Sequence, residues 1–425
     1  MVGCWIPARS PTSRRHDEDR PWCHPSVTRA ILRVIANPST AAKALNSRRP
    51  FILSTDTDRL LAPPDAMQLA LALSRHAIGL SDPNPRVGCV ITDVQGRLLG
   101  SGHTQQAGGP HAEVMALRDA RARGHDLAGA QVYVTLEPCA HHGRTPPCCE
   151  ALTAAGVGRV YIALLDPNPL VAGKGQAHLQ AAGIACELGL GAAEAREINI
   201  GFLSRMVCGR PFVRMKIAAS LDGRTALPDG RSQWITGPAA RQDGQRWRQR
   251  AGAILTGVGT VLDDDPRLDL RLPGPAGPPL QPLRVIADSR LQTPSTARIL
   301  QAPGQVLLVH AAAASGTSWP EGVELLSMAA GQQVDLPALL MELGRRGVNE
   351  LHVEAGARLN GALLKAGLVD ELLLYLAPTL LGDGRGMAAL GVLAELEAAP
   401  RFQWLETTLI ETDLRLRLRR TELGF

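Results

Sequence analysis

Short apolar runs alternate with amphipathic stretches along most of this chain. Segments 86–93 and 305–312 are short and mostly apolar, which is typical of buried strands. Segments such as 111–124 and 148–158 carry apolar residues at helical spacing instead. Strands that alternate with helices predict layered α/β architecture, so we expect an α/β fold whose N-terminal part is an α/β/α sandwich.

The predicted elements begin after Pro63 and Pro64. We predict a helix over 66–79, with Asp65 as its N-cap and Gly79 as its end. The next elements are predicted at 86–93, 96–103, 111–124, 131–139, 148–158, 159–169, 173–186 and 192–208. After these, alternation resumes at 209–227, 251–266, 282–291, 305–312, 336–346, 349–356, 359–367 and 370–382.

The chain of 425 residues is too long for one ordinary core, and we expect two domains. The breaker Gly209-Arg210-Pro211 before a new strand separates a first half, 65–208, from a second half, 209–425. Residues 1–64 lack this regular alternation. They are predicted to be a disordered extension or the result of a start codon assigned too early.

Composition excludes some classes of protein. Hydrophobic residues make up 45% of the chain and charged residues 20%, as in ordinary globular proteins, and no apolar run approaches a membrane span. The net charge of +5 suits an anionic small substrate as well as nucleic acid, but only 3% of residues are aromatic, which disfavours base stacking. Eight cysteines without a secretory signal predict reduced thiols. We therefore expect a cytoplasmic protein without a membrane or nucleic-acid partner.

Four residues of the first half form the clearest chemical motif. His111 is followed two positions later by Glu113, and Cys139 and Cys148 each follow a proline. This order is the signature of zinc deaminases of nucleobases, in which one imidazole and two thiolates leave a position for water. The second cysteine comes nine positions after the first here, against three in that signature. We predict that His111, Cys139 and Cys148 bind Zn²⁺ and that Glu113 is the general acid/base.

Other readings of this region stay open. A structural zinc site would use four protein ligands and has no need of a carboxylate beside the histidine. Cys149 competes with its neighbour as a ligand, although Pro-Cys favours Cys148, and His141 and His142 are either loop residues or substitute ligands. His103 and Asn84 are each either turn residues or substrate contacts.

The second half lacks the Gly-x-Gly-x-x-Gly fingerprint of dinucleotide-binding Rossmann folds after a strand. A better phosphate site is predicted where a strand ends at Glu354, Gly356 follows, and a helix begins. Arg248 and Arg271 are candidates for bidentate contacts to a substrate phosphate, although most arginines are solvated surface charges.

Taken together, these motifs resemble the bifunctional deaminase/reductases of riboflavin biosynthesis from about residue 65 onward. The matching stretches are NPRVGCV (84–90), GGPHAEV (108–114), TLEPCAHHGRTPPCCEAL (135–152), DPNPLVAGKG (166–175), KIAASLDGRTA (216–226), SQWIT (232–236), GTVLDDDPRL (259–268) and VEAGARLNGALL (353–364). The long cysteine spacing is normal in that family. The resemblance implies a cytidine-deaminase-like α/β/α sandwich followed by a dihydrofolate-reductase-like α/β domain, with Zn²⁺ and NADPH/NADP⁺ as cofactors.

The resemblance also implies two successive reactions on a small phosphoribosyl-pyrimidine. The first deaminates 2,5-diamino-6-ribosylamino-4(3H)-pyrimidinone 5′-phosphate, and the second reduces the product to the ribitylamino compound. It places NADP against Ala218, Trp234, Thr260, Asp264, Ser289, Gly356, Ala357, Arg358, Leu359, Asn360, Gly361 and Ala362. It places the substrate against Lys216, Ser232, Arg248, Leu268, Arg271 and Glu354.

Two alternatives remain at this stage. The first is a nucleic-acid base deaminase, such as a tRNA adenosine deaminase, with an accessory domain; such a protein is expected to carry a stronger basic patch. The second is a protein in which one half is degenerate, although the motif residues are present in both halves. Self-association into a homo-oligomer also stays open.

Overall fold

A computed structural model of the chain describes residues 60–140, 147–168, 171–272, 279–312 and 318–421, together with residue 423. The described residues all belong to one compact unit. The predicted extension therefore lies outside the described residues as far as residue 59, and so do His141 and His142. No helix within the described ranges is long and apolar enough to cross a membrane.

The first half is built on a mixed five-stranded sheet. Its strands are β1 (Gly88–Thr92), β2 (Leu98–His103), β3 (Gln131–Val134), β4 (Arg159–Ile162) and β5 (Ala185–Leu188). Its helices are α1 (Pro63–Ser74), α2 (Ala112–Ala122), α3 (Cys148–Ala154), α4 (Lys174–Ala181), α5 (Ala192–Ile198) and α6 (Ile200–Cys208). The sheet order is β2-β1-β3-β4-β5, with antiparallel pairs up to β3 and parallel pairs after it.

Close packing of α2 against β2 fixes the start of the helix that carries the predicted catalytic residues. A Cβ atom added at Gly102 would lie only 2.5 Å from the Cβ atom of Met115, so glycine lets the two backbones approach. Ala112, Ala116 and Ala120 are fully buried on this face. The small residues of strand and helix therefore set the distance between them.

Two helix predictions in the first half need correction. Helix α1 begins at Pro63 with Ala62 as its N-cap, so Asp65 lies in the first turn instead of capping the helix. Proline at the first helical position needs no N–H partner, which explains the earlier start. The predicted helix over 192–208 is interrupted at Asn199, whose side chain bonds to the backbone of Arg86 on both its N–H and its C=O.

The second half is organised on a nine-stranded sheet. The strands of this half are β6 (Phe212–Ser220), β7 (Arg224–Ala226), β8 (Ala253–Gly257), β9 (Leu283–Ala287), β10 (Val306–His310), β11 (Val323–Ser327), β12 (Ala329–Ala330), β13 (Gln333–Val334), β14 (Glu350–Val353), β15 (Glu371–Ala377), β16 (Arg385–Gly386), β17 (Phe402–Ile410) and β18 (Asp413–Arg420). Of these, β7 pairs with β16 and β12 with β13 in two separate two-stranded sheets. Its helices are α7 (Pro238–Arg250), α8 (Val258–Asp264), α9 (Arg298–Gln301), α10 (Leu336–Arg345) and α11 (Ala357–Lys365).

The order of the large sheet is β11-β10-β9-β8-β14-β6-β15-β18-β17. The pairs from β11 to β15 are parallel, and the last two are antiparallel. The parallel strands β8, β9, β10 and β14 read as the short apolar runs that the sequence predicted, because helices cover such strands on both faces. Helix α7 and the hairpin of β17 and β18 were not predicted, since α7 is highly polar and β18 alternates arginine with leucine.

Candidate zinc centre and reductase site

The three predicted zinc ligands meet at the ends of secondary structure elements. His111 is the N-cap of α2, Cys148 is the first residue of α3, and Cys139 lies in the loop after β3. The Nδ1 atom of His111 lies 3.6 Å from Sγ of Cys139 and 3.4 Å from Sγ of Cys148. The three donor atoms all lie within 4.8 Å of one another.

This donor set fits a zinc ion. Two ligands at ordinary Zn–N and Zn–S bond lengths on a tetrahedral ion are separated by about 3.6 Å, which matches the spacing observed here. One imidazole and two thiols are the protein share of a catalytic zinc site, and a fourth position remains for water. Among the described residues, no other group of histidine, cysteine and carboxylate side chains has this spacing.

The electrostatics of the two thiols are coupled. A hydrogen bond from Cys148, together with one from His111, lowers the pKa of the Cys139 thiol to about 4. The same hydrogen bond, with burial and the nearby Glu113, raises the pKa of Cys148. The backbone N–H of Cys148 also donates to Sγ of Cys139 at 3.3 Å. A cation at this place would be bound by deprotonated thiols, since the thiolate is the form of cysteine that ligates a metal.

Glu113 is a buried carboxylate beside this cluster, only 3% exposed. Burial, and secondarily the charge of Cys139, raise the pKa of Glu113 to about 7. A carboxyl group with a pKa near neutrality can both accept and donate a proton at physiological pH, as a general acid/base must. Glu113 follows His111 by two positions at the start of α2, so the helix places both side chains at the same site.

Three residues for which the sequence left alternatives open are Cys149, His103 and Asn84. Cys149 is 1% exposed and belongs to the apolar core of the first half, which favours Cys148 as the ligand. The ring of His103 stands edge-on to that of His76 at 5.5 Å, and burial lowers its pKa. Asn84 lies in a turn in which its N–H donates to the carbonyl of Ser81 at 2.8 Å. No contact here assigns a substrate to His103 or Asn84.

An ion-paired cluster forms the corresponding site in the second half. Arg248, near the end of α7, donates from Nε and Nη2 to the two carboxylate oxygens of Glu354 at 2.5 and 3.0 Å. The Nζ atom of Lys216, on β6, lies 3.9 Å from the same carboxylate. Burial opposes ionisation of Glu354, but Arg248, His352 and Lys216 hold its pKa well below the usual range. The structure thus joins three of the predicted substrate contacts.

Other predicted residues lie around the N-terminus of α11. Gly356 is its N-cap, and a Cβ atom added there would lie 3.7 Å from Oγ1 of Thr260, so the predicted cofactor positions of α8 and α11 are adjacent. Ser232 donates to Oδ1 of Asp264 at 2.9 Å, which joins a predicted substrate contact to a predicted cofactor contact. The arrangement places unpaired helix N–H groups beside polar side chains, as an anionic ligand requires.

Three further predicted cofactor positions make contacts of other kinds. Trp234 is 69% exposed and stacks beneath the guanidinium of Arg241 at 4.5 Å. Ser289 accepts a hydrogen bond from the backbone N–H of Val334 at 3.1 Å. Asn360 is 1% exposed and donates to the carbonyls of Ala355 and Met387.

The rest of the predicted set divides between surface and core. Gly361 lies against the backbone of Ala389, where a Cβ atom would approach the carbonyl oxygen to 2.3 Å, so it brings α11 against this loop. Leu268 is 4% exposed and packs in the core, which leaves its backbone for any ligand contact. Arg271 donates to Oδ1 of Asp269 at 2.8 Å. Ala357, Leu359 and Ala218 are half-buried, and Arg358 and Ala362 are exposed.

Two family models match the chain, one in each half. Residues 63–164 match the cytidine and deoxycytidylate deaminase zinc-binding region, and residues 211–416 match the RibD C-terminal domain. The riboflavin biosynthesis protein RibD of Escherichia coli strain K12 is 47% identical over 363 residues, which cover 83% of this chain and 98% of that protein. The chain belongs to the RibD family.

Solved structures of the RibD family agree with the fold. Acinetobacter baumannii RibD is 43% identical, with a TM-score of 0.77 over 85% of this chain and 99% of that chain. A diaminohydroxyphosphoribosylaminopyrimidine deaminase/5-amino-6-(5-phosphoribosylamino)uracil reductase from Thermotoga maritima is 31% identical, with a TM-score of 0.77 over 84% of this chain and 98% of that chain. The predicted fold class is confirmed: a cytidine-deaminase-like domain precedes a dihydrofolate-reductase-like domain.

As a RibD family member, the chain is a bifunctional deaminase/reductase of riboflavin biosynthesis. The deaminase domain implies Zn²⁺ and the reductase domain implies NADPH. The alternative of a nucleic-acid base deaminase with an accessory domain is not supported, because the second half matches the RibD reductase domain over nearly its whole length.

Proposed function

We propose that this enzyme first deaminates 2,5-diamino-6-ribosylamino-4(3H)-pyrimidinone 5′-phosphate and then reduces the product with NADPH to the ribitylamino compound. The observation that carries the first step is the buried Glu113 beside His111, Cys139 and Cys148. The name of the Thermotoga maritima relative, which couples a deaminase of this substrate class with a reductase, supports the pairing of the two steps.

In the deaminase half, His111, Cys139 and Cys148 would hold the metal ion. Zinc in such a site acidifies water and acts as a Lewis acid. Glu113 takes a proton from the attacking water and gives it to the amino group that leaves as ammonia. The ring carbon thus exchanges its C–N bond for a C–O bond, and water is consumed. The pKa of Glu113 of about 7 suits both directions of this transfer.

In the reductase half, NADPH supplies the hydride and the protein orients the reactants. Thr260 and the N-terminus of α11 would bind the cofactor, since they form adjacent donor positions. Arg248 and Lys216 would bind the phosphoribosyl part of the substrate, and Glu354 would hold both cations in place. Arg248 suits this role because its planar guanidinium can bind a carboxylate and a phosphate in fixed geometry.

The site also bears on partners and location. Thiols stay reduced most readily in the cytosol, so a site with two cysteine ligands supports the cytoplasm as the place of action. Because the RibD family acts on small molecules, membership in it supports a phosphoribosyl-pyrimidine as the binding partner rather than nucleic acid. We also propose that the first domain spans residues 65–208 and the second residues 209–425. The first family match starts at residue 63.

One assay tests both halves. Purified enzyme is given the pyrimidinone phosphate with and without NADPH, and ammonia release and NADPH oxidation are followed. We expect ammonia in both cases. NADPH oxidation, followed by the loss of the cofactor's absorbance, is expected only after deamination. Ammonia release from tRNA alone would contradict the first step, and failure to oxidise NADPH with the deaminated intermediate would indicate a degenerate second half.

A further inference from the structure

Arg86 belongs to the first half by sequence, but its side chain reaches into the second half. Its guanidinium is buried, with 4% of the side chain exposed. Nη1 donates to Oε1 of Glu350 at 2.5 Å, and Nη2 donates to the carbonyl of Arg250 at 2.7 Å. The backbone of Arg86 is held on both sides by Asn199, at 2.7 Å through its N–H and at 2.9 Å through its C=O. Arg86 is thus fixed at both ends.

The carbonyl that Arg86 binds is the last one of helix α7. Helix α7 ends at Arg250, and its final carbonyls have no partner within the helix. A guanidinium at this end both satisfies a carbonyl and opposes the negative end of the helix dipole. The same last turn carries Arg248, which is bound to Glu354 in the proposed substrate site. Arg86 therefore anchors the turn from which Arg248 projects.

A second connection runs through strand β14. Glu350 is its first residue, and it accepts from Arg214 at 2.6 Å and from Arg250 at 2.8 Å as well as from Arg86. Glu354 comes directly after the last residue of β14, and its N–H donates to the carbonyl of Leu255 on β8 at 2.9 Å, so the extended pairing continues to it. Side chains four apart in extended backbone point to the same face.

Strand β6 and helix α7 each contribute one residue to the cluster around Glu350 and one residue to the cluster around Glu354. On β6 these are Arg214 and Lys216, and on α7 they are Arg250 and Arg248. The first of each pair reaches Glu350, and the second reaches Glu354. Because strands and helix turns are stiff over two residues, the position of the Glu350 cluster determines that of the Glu354 cluster.

We propose that Arg86 is a positioning residue for the reductase reaction: it holds the end of α7 and Glu350 so that Arg248 and Glu354 face the phosphoribosyl substrate. The proposal rests on the placement of substrate beside Arg248 under the proposed function. It gives the deaminase half a structural part in the second reaction, in addition to its own chemistry.

The test measures reduction of the deaminated intermediate by the full-length, zinc-loaded enzyme. In R86M the side chain keeps its length but loses its donors. We expect KM for the intermediate to rise about tenfold, the factor for one lost charge-assisted hydrogen bond, while kcat and KM for NADPH change less than about threefold. A general loss of structure would lower kcat and affect both substrates, so the split between KM and kcat separates positioning from folding.

R205M is the matched control. Arg205 also joins the two halves, since its Nε donates to Oδ1 of Asn349 at 2.7 Å and its Nη2 to the carbonyl of Pro83 at 2.9 Å. These bonds reach neither Glu350 nor the end of α7. We expect R205M to leave KM for the intermediate within about twofold of the parent value, because the contacts of the Glu350 carboxylate and of the end of α7 stay in place.

A double-mutant cycle with R248M decides the route. If Arg86 acts through Arg248, R86M adds less than about twofold to KM in the R248M background. Multiplying effects would overturn the proposal, and so would an unchanged KM in R86M when R248M raises it. If R248M itself leaves KM unchanged, the substrate does not bind at Arg248 and the proposal falls together with that placement. Should R86M not fold, R86K serves in the same cycle, because one ammonium can replace only one of the two contacts; the same outcomes then apply to its smaller rise in KM.

Discussion

Two carboxylates, the buried Glu113 in the first half and the half-buried Glu354 in the second, differ in the charges around them. Glu113 lies beside the thiol of Cys139, and burial raises its pKa to about 7. Glu354 lies between Arg248 and Lys216, and its pKa is held well below the usual range in spite of burial. The same functional group is thus more easily protonated in one site and held ionised in the other, because arginine and lysine side chains surround only the second.

The two sites also differ in how the chain assembles them. The proposed zinc ligands and Glu113 come from residues 111–148, at the starts of two helices and in one loop. The reductase cluster joins Lys216, Arg248 and Glu354 from three separate elements. A local site can be recognised from spacing in the sequence, whereas an ion-paired site depends on which strands become neighbours.

The largest expected effect tests whether the zinc site is as local as the spacing indicates. Cys148→Ala removes one of three ligands, and we expect loss of bound zinc and of ammonia release, while NADPH-dependent reduction of the deaminated intermediate is retained. Cys149→Ala is the matched control, since that thiol is packed in the core at 1% exposure. Metal analysis of the two purified variants checks this. Loss of zinc from Cys149→Ala alone would exchange the two assignments.

The next effect tests Glu113 as a proton carrier. Glu113→Gln keeps the shape of the side chain but cannot take a proton, so we expect deamination to fall by about 10²- to 10⁴-fold, the usual contribution of a general acid/base. Zinc content and reductase activity should stay at parent levels. Glu187→Gln, on the exposed strand β5, is the control and should leave both activities unchanged. If reduction also vanished in folded, zinc-loaded Glu113→Gln, the two sites would not be independent.

The smallest effect concerns stability, and it tests the cation-stabilised carboxylates of the second half. Glu371 is fully buried and bonded to Arg214, Arg417 and Arg419. Burial opposes ionisation, but these arginines lower its pKa in the folded state. Glu371→Gln should therefore reduce the free energy of unfolding by about 3–5 kcal/mol at pH 7, because it leaves buried guanidinium groups without their anion.

The pH dependence gives this prediction its sign. A carboxylate with a lowered folded-state pKa stabilises the fold above its unfolded pKa of about 4.3, and that stabilisation is lost as the pH falls toward the folded pKa. Urea unfolding at pH 7 and near pH 3 should show the difference between parent and Glu371→Gln shrinking at the lower pH. Glu324→Gln is the control, because Glu324 is 54% exposed in its pair with Arg346 and should change stability by at most about 1 kcal/mol. Equal losses in both variants would contradict the contrast.

Much of the fold was accessible from pattern alone. The apolar runs predicted β1, β9 and β10, and spacing predicted α2 and α10, because a buried face imposes a period on the sequence. Helix α7 was not predicted because several of its charged residues form ion pairs with other elements of the fold instead of facing water on one side. The helix break at Asn199 was not predicted because it is caused by tertiary hydrogen bonds between the Asn199 side chain and the backbone of Arg86.

The sequence was enough to recognise the family and to predict a set of zinc ligands with a carboxylate beside them, since these reside in short motifs whose spacing is part of the chemistry. The fold was needed to show that Arg248 and Lys216 share Glu354, that Glu350 binds three arginines, and that the Arg86 side chain reaches from one half into the other. Charges of this kind are interchangeable in a sequence, because every arginine is compatible with every carboxylate. Burial in a particular sheet order selects the pairs.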